Sequence, residues 1–472
     1  MSKAKNKISV KFCGLNASDV TGSMTYIKGT SFEILLEAGL FQGETVKEVY
    51  KANSRKLPFK PKNLTYVFVG HAHIDHTGLI PRLVHMGFNG RIIAPIGTKE
   101  LLKILWSDSA FLIDKEAKII SRKYKMNATP IYNASDVEVA LNLIDEHPIG
   151  TKVTLNNGVE FQFRGSGHII NAAQIELWLK EGNSIKHIGY TSDLGNISIP
   201  QMYTTSFEPI EKCNLLIGEC TYCGRTRTDT TRDRAKDIEK IKAIVDEVCI
   251  RNKSRLLIPV FALARAQTML SVLYNIYGRD DKFNIKIVLD SPMAVNVSRL
   301  YSRLLDDANY EEILQWNNLV CVTDYEHSQE LMNSREPLII LSSGGMLQGG
   351  RSVAWLKKLL SRRANHILFV GYSAEGTIGY KLKYAHHHKT INIDGKPYAN
   401  RCGVTNLLSF SSHMQHDDLL FYYSNVRADK IVLVHGNAND KSMFVDELEN
   451  CIARNNKTTQ VCCPYNNLEI TL

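Results

Sequence analysis

Four residues able to bind a metal fall within six positions of this chain. They are His71, His73, Asp75 and His76, in the run Val69-Gly70-His71-Ala72-His73-Ile74-Asp75-His76-Thr77-Gly78. A neutral imidazole nitrogen suits Zn2+, and a carboxylate oxygen can complete the set. His71 and His73, two apart, share one face of an extended stretch. Asp75 and His76 follow beyond a bend, where a second cation would need them. Only 15 of the 472 residues are histidine, so a solvated loop carrying three of them by accident is the weaker explanation. The preceding Leu64-Thr65-Tyr66-Val67-Phe68-Val69 reads as a buried strand. The glycine and polar residues after it read as a loop at that strand's carboxyl end, able to turn several imidazoles toward one point.

The other candidates come singly, each just past a strand-like run. Strand Val159–Arg164 leads into Gly165-Ser166-Gly167-His168. The hairpin of Gln174–Lys180 and Ile185–Tyr190 leads into Asp193, whose two oxygens could each face one cation. Leu215–Gly218 leads into Glu219, Val404–Phe410 into His413, and Lys430–Val434 into His435. Upstream, Ile8–Phe12, Met24–Lys28 and Phe32–Leu36 open a sheet, the third running into Glu37. Gly78–Gly87 reads as a helix, Arg91–Ala94 as a strand, and helical segments run on to about residue 147, the last capped by Asp136. His85 and His187 read as structural. His386-His387-His388 reads as a solvated turn, because consecutive residues on a strand point to opposite faces.

Length puts two domains ahead of one. Hydrophobic content of 44% fits a globular chain, and no run of 18 apolar residues is present, so no membrane span is expected. The basic N-terminus lacks the apolar stretch of a secretory signal. Ten scattered cysteines read as reduced thiols of a cytoplasmic protein; Cys220-Thr221-Tyr222-Cys223 has no second pair to complete a zinc site. A net charge of +9 favours a polyanionic partner. From about residue 224 to 402, strands Arg255–Pro259, Ile285–Leu289, Pro337–Leu341 and His366–Val370 alternate with helices such as Ala262–Tyr277, the pattern of a parallel sheet covered by helices.

His-X-His-X-Asp-His resembles the signature of the metallo-β-lactamase superfamily. Ile258-Pro259-Val260-Phe261-Ala262-Leu263-Ala264-Arg265-Ala266-Gln267, Asp290-Ser291-Pro292-Met293-Ala294, Ser342-Ser343-Gly344-Gly345-Met346-Leu347-Gln348-Gly349-Gly350-Arg351 and the glycine-rich run from Gly371 to Gly379 resemble its β-CASP branch of RNA-processing nucleases. So do Glu219-Cys220-Thr221-Tyr222 and Phe410-Ser411-Ser412-His413. The resemblance covers nearly the whole chain. It implies a metallo-β-lactamase αββα sandwich, residues 1–223 and 403–472, interrupted by an α/β β-CASP domain over 224–402. It implies two Zn2+ per chain: His71, His73 and His168 on one, Asp75, His76 and His435 on the other, Asp193 bridging. Such a pair can polarise a phosphoryl oxygen and supply an activated water. The resemblance further makes Asp75 an orienter of that water, His413 the proton donor to the leaving oxygen, and Glu219 the group holding it. Glu37 stands where the family has Asp bracing the metal loop. Ser343, Gly344, Arg351, Gly376 and Thr377 become contacts to phosphate, with Gly344 where many members have Ser. Gln415 stands in the place of an Asp, and Asn437 in that of a Glu.

The expected activity is zinc-dependent hydrolysis of single-stranded RNA by a homodimer, with cleavage within the chain, from the 5′ end or both left open by the sequence; the resemblance ties His435 to RNA rather than DNA substrates. The N-terminal KH domain of one archaeal subgroup is not expected here. Two other readings stay open. A small-molecule hydrolase of the same fold would turn over esters and not RNA. A silent RNA-binding relative would hold no metal, yet none of the seven ligand positions is missing.

Overall fold

The computed structural model describes residues 7–43, 45–125, 127–224, 233–305, 308–371, 373, 376–384, 389–455, 458–465 and 467–472. The His386–His388 triplet, most of the polar stretch after residue 224 and residues 372, 374 and 375 of the glycine-rich run lie outside them. In chain order the strands are β1 (Ser9–Phe12), β2 (Thr25–Lys28), β3 (Glu33–Leu36), β4 (Tyr66–Phe68), β5 (Arg91–Pro95), β6 (Ile144–His147), β7 (Lys152–Thr154), β8 (Val159–Gly165), β9 (Ala173–Glu181), β10 (Ser184–Tyr190), β11 (Lys212–Glu219), β12 (Arg255–Val260), β13 (Lys286–Asp290), β14 (Leu319–Val322), β15 (Leu338–Ser343), β16 (His366–Phe369), β17 (Thr390–Ile393), β18 (Lys396–Ala399), β19 (Gly403–Asn406), β20 (Arg427–Val434), β21 (Gln460–Cys462) and β22 (Glu469–Thr471).

The chain divides into two compact units, one of residues 1–227 with 412–472, the other of 228–411. The first holds two seven-stranded sheets, ordered β22-β1-β2-β3-β4-β5-β6 and β21-β20-β11-β10-β9-β8-β7. Their inner faces interlock: Val10, Phe12, Ile34, Leu36 and Phe68 of one pack with Phe161, Phe163, Ile175, Leu177 and Ile217 of the other. Alternate residues of β8 are buried, the period-2 signature of a strand with one covered face. Helices His416–Asn425 and Ala438–Arg454 cover the outside of the second sheet through Leu419, Tyr423, Phe444 and Leu448. The long helix Thr98–Tyr124 runs beside the first, burying Leu101, Leu102, Leu105 and Trp106. This is the αββα sandwich.

The second unit holds a six-stranded, wholly parallel sheet ordered β14-β13-β15-β12-β16-β19, with a small β17–β18 hairpin. Its interior carries a polar anchor. The buried carboxylate of Asp290 accepts from Trp355 Nε1 at 2.7 Å, Ser328 Oγ at 2.6 Å and Arg351 Nη1 at 2.5 Å.

Several local expectations change. β19 was expected in the closing part of the first domain; it pairs with β16 at the edge of the parallel sheet. Ile144–His147 was expected as helix; the helix ends at Asn142, and the next four residues add a parallel strand beside β5. Asp136 is not the N-cap. Asn133 is, and Asp136 sits three residues in, completing a reciprocal capping box. That carboxylate also meets His85 Nδ1 at 3.1 Å. His187 stacks on Trp178 with ring centroids 4.5 Å apart. No helix among the described residues is long and apolar enough to cross a membrane.

Candidate active site

β4 ends at Phe68, and the backbone turns at Gly70 into the short helix Ile74–Thr77. That turn brings His71, His73, Asp75 and His76 to the carboxyl end of the first sheet. Leu40 N donates to Ile74 O, Ala38 N to His76 O, and Ser23 N to Asp75 O, all at 2.8–2.9 Å. The loop is therefore fastened from the backbone side. Gly39 permits the approach: a Cβ there would stand 1.5 Å from Asp75 O.

The second sheet supplies the rest, all from strand ends. His168 follows β8, Asp193 follows β10, Glu219 closes β11 and His435 follows β20. An antiparallel bridge between Gly195 and His413 draws His413 to the Asp193 loop. Gln415 Nε2 holds the His413 carbonyl at 2.8 Å, a bond that the carboxylate of the family's Asp could not donate.

Every expected ligand converges. His71 Nε2 lies 3.0 Å from His73 Nδ1, and His168 Nε2 3.3 Å from the same atom. Asp193 Oδ2 is 3.7 Å from His71 Nε2 and 3.5 Å from His168 Nε2. Its other oxygen, Oδ1, is 3.2 Å from His76 Nε2 and 3.5 Å from His435 Nδ1. Asp75 Oδ2 lies 3.8 Å from His76 Nε2 and 3.6 Å from His435 Nε2. Donor atoms of His71, His73, His168 and Asp193 all lie within 4.8 Å of one another, and so do those of Asp75, His76 and His435. One Asp193 oxygen thus faces each group.

The site fits cations on chemical grounds. His76 Nε2, Asp193 Oδ1 and His435 Nε2 are buried with no satisfactory hydrogen-bond partner. Each such atom costs about 1–3 kcal/mol unless something else meets it. Burial drives His71 and His168 well below the usual imidazole range, helped by neighbouring histidines, and His73 down to about 4. Neutral rings present lone pairs, which metal ligation requires. At His76 burial acts in the same direction, but the charges of Asp193, Glu37 and Asp75 overcome it and raise the group well above its ordinary value. Positive charge is therefore favoured there. Burial opposes ionisation of Asp75 and Asp193 as well. His76 and His435 outweigh it, bringing Asp75 to about 2 and Asp193 well below the carboxylate range.

Around these donors stands a layer that the sequence showed only in part. Glu37 is fully buried. Its carboxylate meets His76 Nδ1 and accepts from Tyr190 Oη at 2.5 Å and Ser192 Oγ at 2.6 Å. Ser192 Oγ is in turn 3.0 Å from His71 Nδ1. Glu37 therefore orients one histidine of each group. Thr221 Oγ1 does the same for His435, at 3.0 Å from Nδ1. Tyr190, Ser192 and Thr221 were given no role, although Thr221 lies within the run Glu219-Cys220-Thr221-Tyr222 and Tyr190 and Ser192 stand three and one residues before Asp193; an imidazole with one nitrogen on a metal needs a partner for the other. Glu37, Ser192 and His435 have φ of 59°, 51° and 53°. Such backbone costs about 1–3 kcal/mol per residue and persists where the surroundings dictate it. Replacing Glu37 with Gln should therefore weaken metal binding about 10- to 100-fold, read by competition with a zinc chelator; unchanged affinity would remove Glu37 from this role.

Glu219 and His413 meet beside the same cluster. Glu219 Oε1 lies 3.3 Å from His413 Nδ1, and His413 Nδ1 lies 4.0 Å from Asp193 Oδ2. Glu219 is fixed in turn by the N–H groups of Leu194 at 3.1 Å and Thr221 at 2.7 Å. Burial pushes the His413 pKa down, but its bond to Glu219 and the charge of Asp193 leave it raised overall.

The five expected phosphate contacts lie in the second unit, away from this cluster in sequence. Ser343 ends β15. Gly344 has φ 105°, and Ser352 Oγ would stand 2.4 Å from a Cβ there, so a larger residue is strained in this chain. Gly376 begins the turn before helix Ile378–Tyr384, and Thr377 Oγ1 caps that helix from Tyr380 N at 3.0 Å. Arg351 departs from expectation. Its guanidinium is committed to Asp290 and to the carbonyls of Val322 and Thr323, which makes it part of the second unit's interior anchor.

A metallo-β-lactamase superfamily model matches residues 18–154, a β-CASP domain model residues 266–382, and a model described as a Zn-dependent metallo-hydrolase RNA specificity domain residues 398–458. The chain is 31% identical over 432 residues to a ribonuclease of Thermus thermophilus, covering 89% of this chain and 91% of that one. The chain belongs to the β-CASP family of metallo-β-lactamase-fold hydrolases. It is also 26% identical over 453 residues to the transcription termination factor FttA of Methanocaldococcus jannaschii, covering 93% of this chain and 68% of that one. An RNase J-like protein of the same organism is 28% identical over 392 residues, covering 79% of this chain and 82% of that one. A crystal structure of a protein of unknown function from Enterococcus faecalis aligns over 99% of this β-CASP chain and 100% of its own, with TM-score 0.53 and 12% identity, a likeness of fold.

Proposed function

We propose that this β-CASP protein is a zinc-dependent ribonuclease that hydrolyses phosphodiester bonds of single-stranded RNA in RNA processing or decay, with two zinc ions per chain. The observation that carries the reading is Asp193, with one oxygen toward each of two donor groups. His71, His73 and His168 would hold one zinc and Asp75, His76 and His435 the other, with Asp193 shared. Such ions would supply polarisation of a phosphoryl oxygen and a water whose pKa falls toward ~7.

The chain's own residues do the remainder. Glu37, Ser192 and Thr221 fix the imidazoles, so the donor set needs little rearrangement on loading. Asp75 orients the attacking water. His413, held by Glu219, gives its proton to the departing oxygen of the RNA. The seven intact ligand positions and the Glu219–His413 pair weigh against a silent relative and against a small-molecule hydrolase. A homodimer and a cytoplasmic location accompany the proposal.

Incubating the purified protein and zinc with RNA labelled at the 5′ end, and separately with RNA labelled internally, tests the activity and its mode. Internal products indicate endonucleolytic cleavage; release of single 5′ nucleotides indicates exonucleolytic trimming. RNA left intact alongside rapid turnover of lactones or thioesters would move the assignment to a small-molecule hydrolase.

A further inference from the structure

The second unit carries an aromatic side chain that the proposed chemistry does not use. β12, β15 and β16 are parallel neighbours, and the register pairs Val260 with Ser343. Phe261 and Gly344 are thus the first residues beyond two adjacent strand ends, with Gly371 beyond the third. The chain leaves β12 for β13 on one side, passing β15, and leaves β15 for β16 on the other, passing β12. Right-handed crossovers put the two connecting helices, Arg265–Tyr277 and Gly350–Leu359, on opposite faces of the sheet. A crevice opens outside the carboxyl ends of strands at such a switch, and ligands of open α/β sheets bind there.

The loop at this point is rigid and strained. Ala264 has φ 70° and ψ −53°, and Arg265 N donates to Leu263 O at 2.9 Å. This is a γ-turn of the rare positive-φ kind, costing about 1–3 kcal/mol for a residue with a side chain. Gln267 Nε2 holds the Ala262 carbonyl at 3.1 Å, and Thr268 Oγ1 holds that of Ala264 at 3.0 Å. In the facing loop Leu347 also has positive φ, 57°. Strain retained in two neighbouring loops at a strand-end crevice is the pattern of a binding site.

Within this fastened loop Ala262 and Leu263 are buried, while the larger Phe261 is 36% exposed. A solitary exposed aromatic is ordinary on a protein surface. This one sits between two positions without side chains. A Cβ at Gly345 would come to 3.2 Å from Phe261 Cδ2 and Cε2, and one at Gly371 to 3.7 Å from Cε2. Glycine at both positions lets the backbone pack against the ring without a side chain over it, and 36% of the residue stays exposed. Lys383, itself buried, donates from Nζ to the Gly371 carbonyl at 2.5 Å and stands 4.9 Å from the centre of the Phe369 ring, fastening the turn beyond the third strand. Exposed aromatic rings are what sites for single-stranded nucleic acid use as stacking platforms, because every base has a π-face that stacks.

We infer that Phe261, at the carboxyl edge of the parallel sheet, is a stacking platform for an unpaired nucleobase of single-stranded RNA. The inference rests on the ribonuclease reading for its substrate class. It makes Phe261 a binding residue: the ring holds a nucleotide and takes no part in bond cleavage.

The test separates stacking from packing. Phe261→Leu keeps apolar volume and removes the π-face; Phe261→Tyr keeps both. With full-length protein and an unstructured RNA, Phe261→Leu is expected to raise KM about 5- to 100-fold with kcat near that of wild type, and Phe261→Tyr to match wild type. Stacking is also read directly from the fluorescence of a 2-aminopurine-containing RNA, quenched by wild type and Phe261→Tyr and left bright by Phe261→Leu. Wild-type KM and quenching in Phe261→Leu overturn the inference. The quenching arm needs no turnover. Protein that quenches through Phe261 but never cuts RNA contradicts the ribonuclease proposal alone; protein that cuts RNA and ignores Phe261→Leu contradicts this inference alone.

Discussion

Replacing Asp193 with alanine is expected to lower RNA cleavage about a thousandfold or more. Among the described residues, this carboxylate places its two oxygens within 3.2–3.7 Å of imidazoles in both donor groups. In the proposed two-zinc site its loss would remove a ligand from both ions at once, and it takes away the largest of the charges that favour positive charge on His76. Metal-based stabilisation of a phosphoryl transition state is worth several kcal/mol, and about 4 kcal/mol is a factor of roughly a thousand in rate. Asp193→Asn keeps the shape and one oxygen but not the charge, so it should fall between alanine and wild type. The variant should still fold, because the sandwich core lies between the sheets and not at these loop ends. Single-turnover cleavage of labelled RNA, with a thermal melt as the folding control, reads both points.

The second large effect belongs to Glu219 and His413. Positioned proton transfer contributes typically 10²–10⁴-fold, so His413→Ala should slow cleavage by about that factor while metal content stays near wild type. Glu219→Gln keeps the hydrogen-bonding outline but removes the charge facing His413, and should cost less. In the proposed mechanism Glu219 works through His413, so the double variant should be about as slow as His413→Ala alone. Strictly multiplicative losses would show that the two act independently. RNA with a leaving group that needs no proton should recover most of the rate lost in His413→Ala; no recovery would take the proton-donor role from this residue.

The candidate site was more legible in the sequence than the wiring around it. His71, His73, Asp75 and His76 declare themselves because one loop supplies all four within six positions. His168, Asp193 and His435 are single residues hundreds of positions apart at the extreme, and only their place past strands, together with the family's order of motifs, tied them together. The bracing layer was hidden for a physical reason. Whether Ser192 or Tyr190 touches Glu37 depends on how two sheets face each other, and no local pattern carries that. Arg351 looked like a phosphate contact beside glycines, but its partner Asp290 lies 61 residues away. β6 has too few residues for strand and helix spacing to differ, so the helical run was carried over it. β19 was recognised as a strand and placed in the closing part of the first domain, since pairing partners are a property of the fold and not of the segment.

The central claim is that seven side chains, distant along the polypeptide, make one dinuclear centre that Asp193 joins. Metal content of the dialysed, zinc-reconstituted protein, measured by elemental mass spectrometry beside the Asp193→Ala variant, addresses it most directly. The account predicts about two zinc ions per wild-type chain, with a clear loss in Asp193→Ala and cleavage that disappears on chelation and returns with zinc. Wild-type protein that retains no zinc while cutting RNA, or an Asp193→Ala protein that holds as much zinc as wild type, would contradict it.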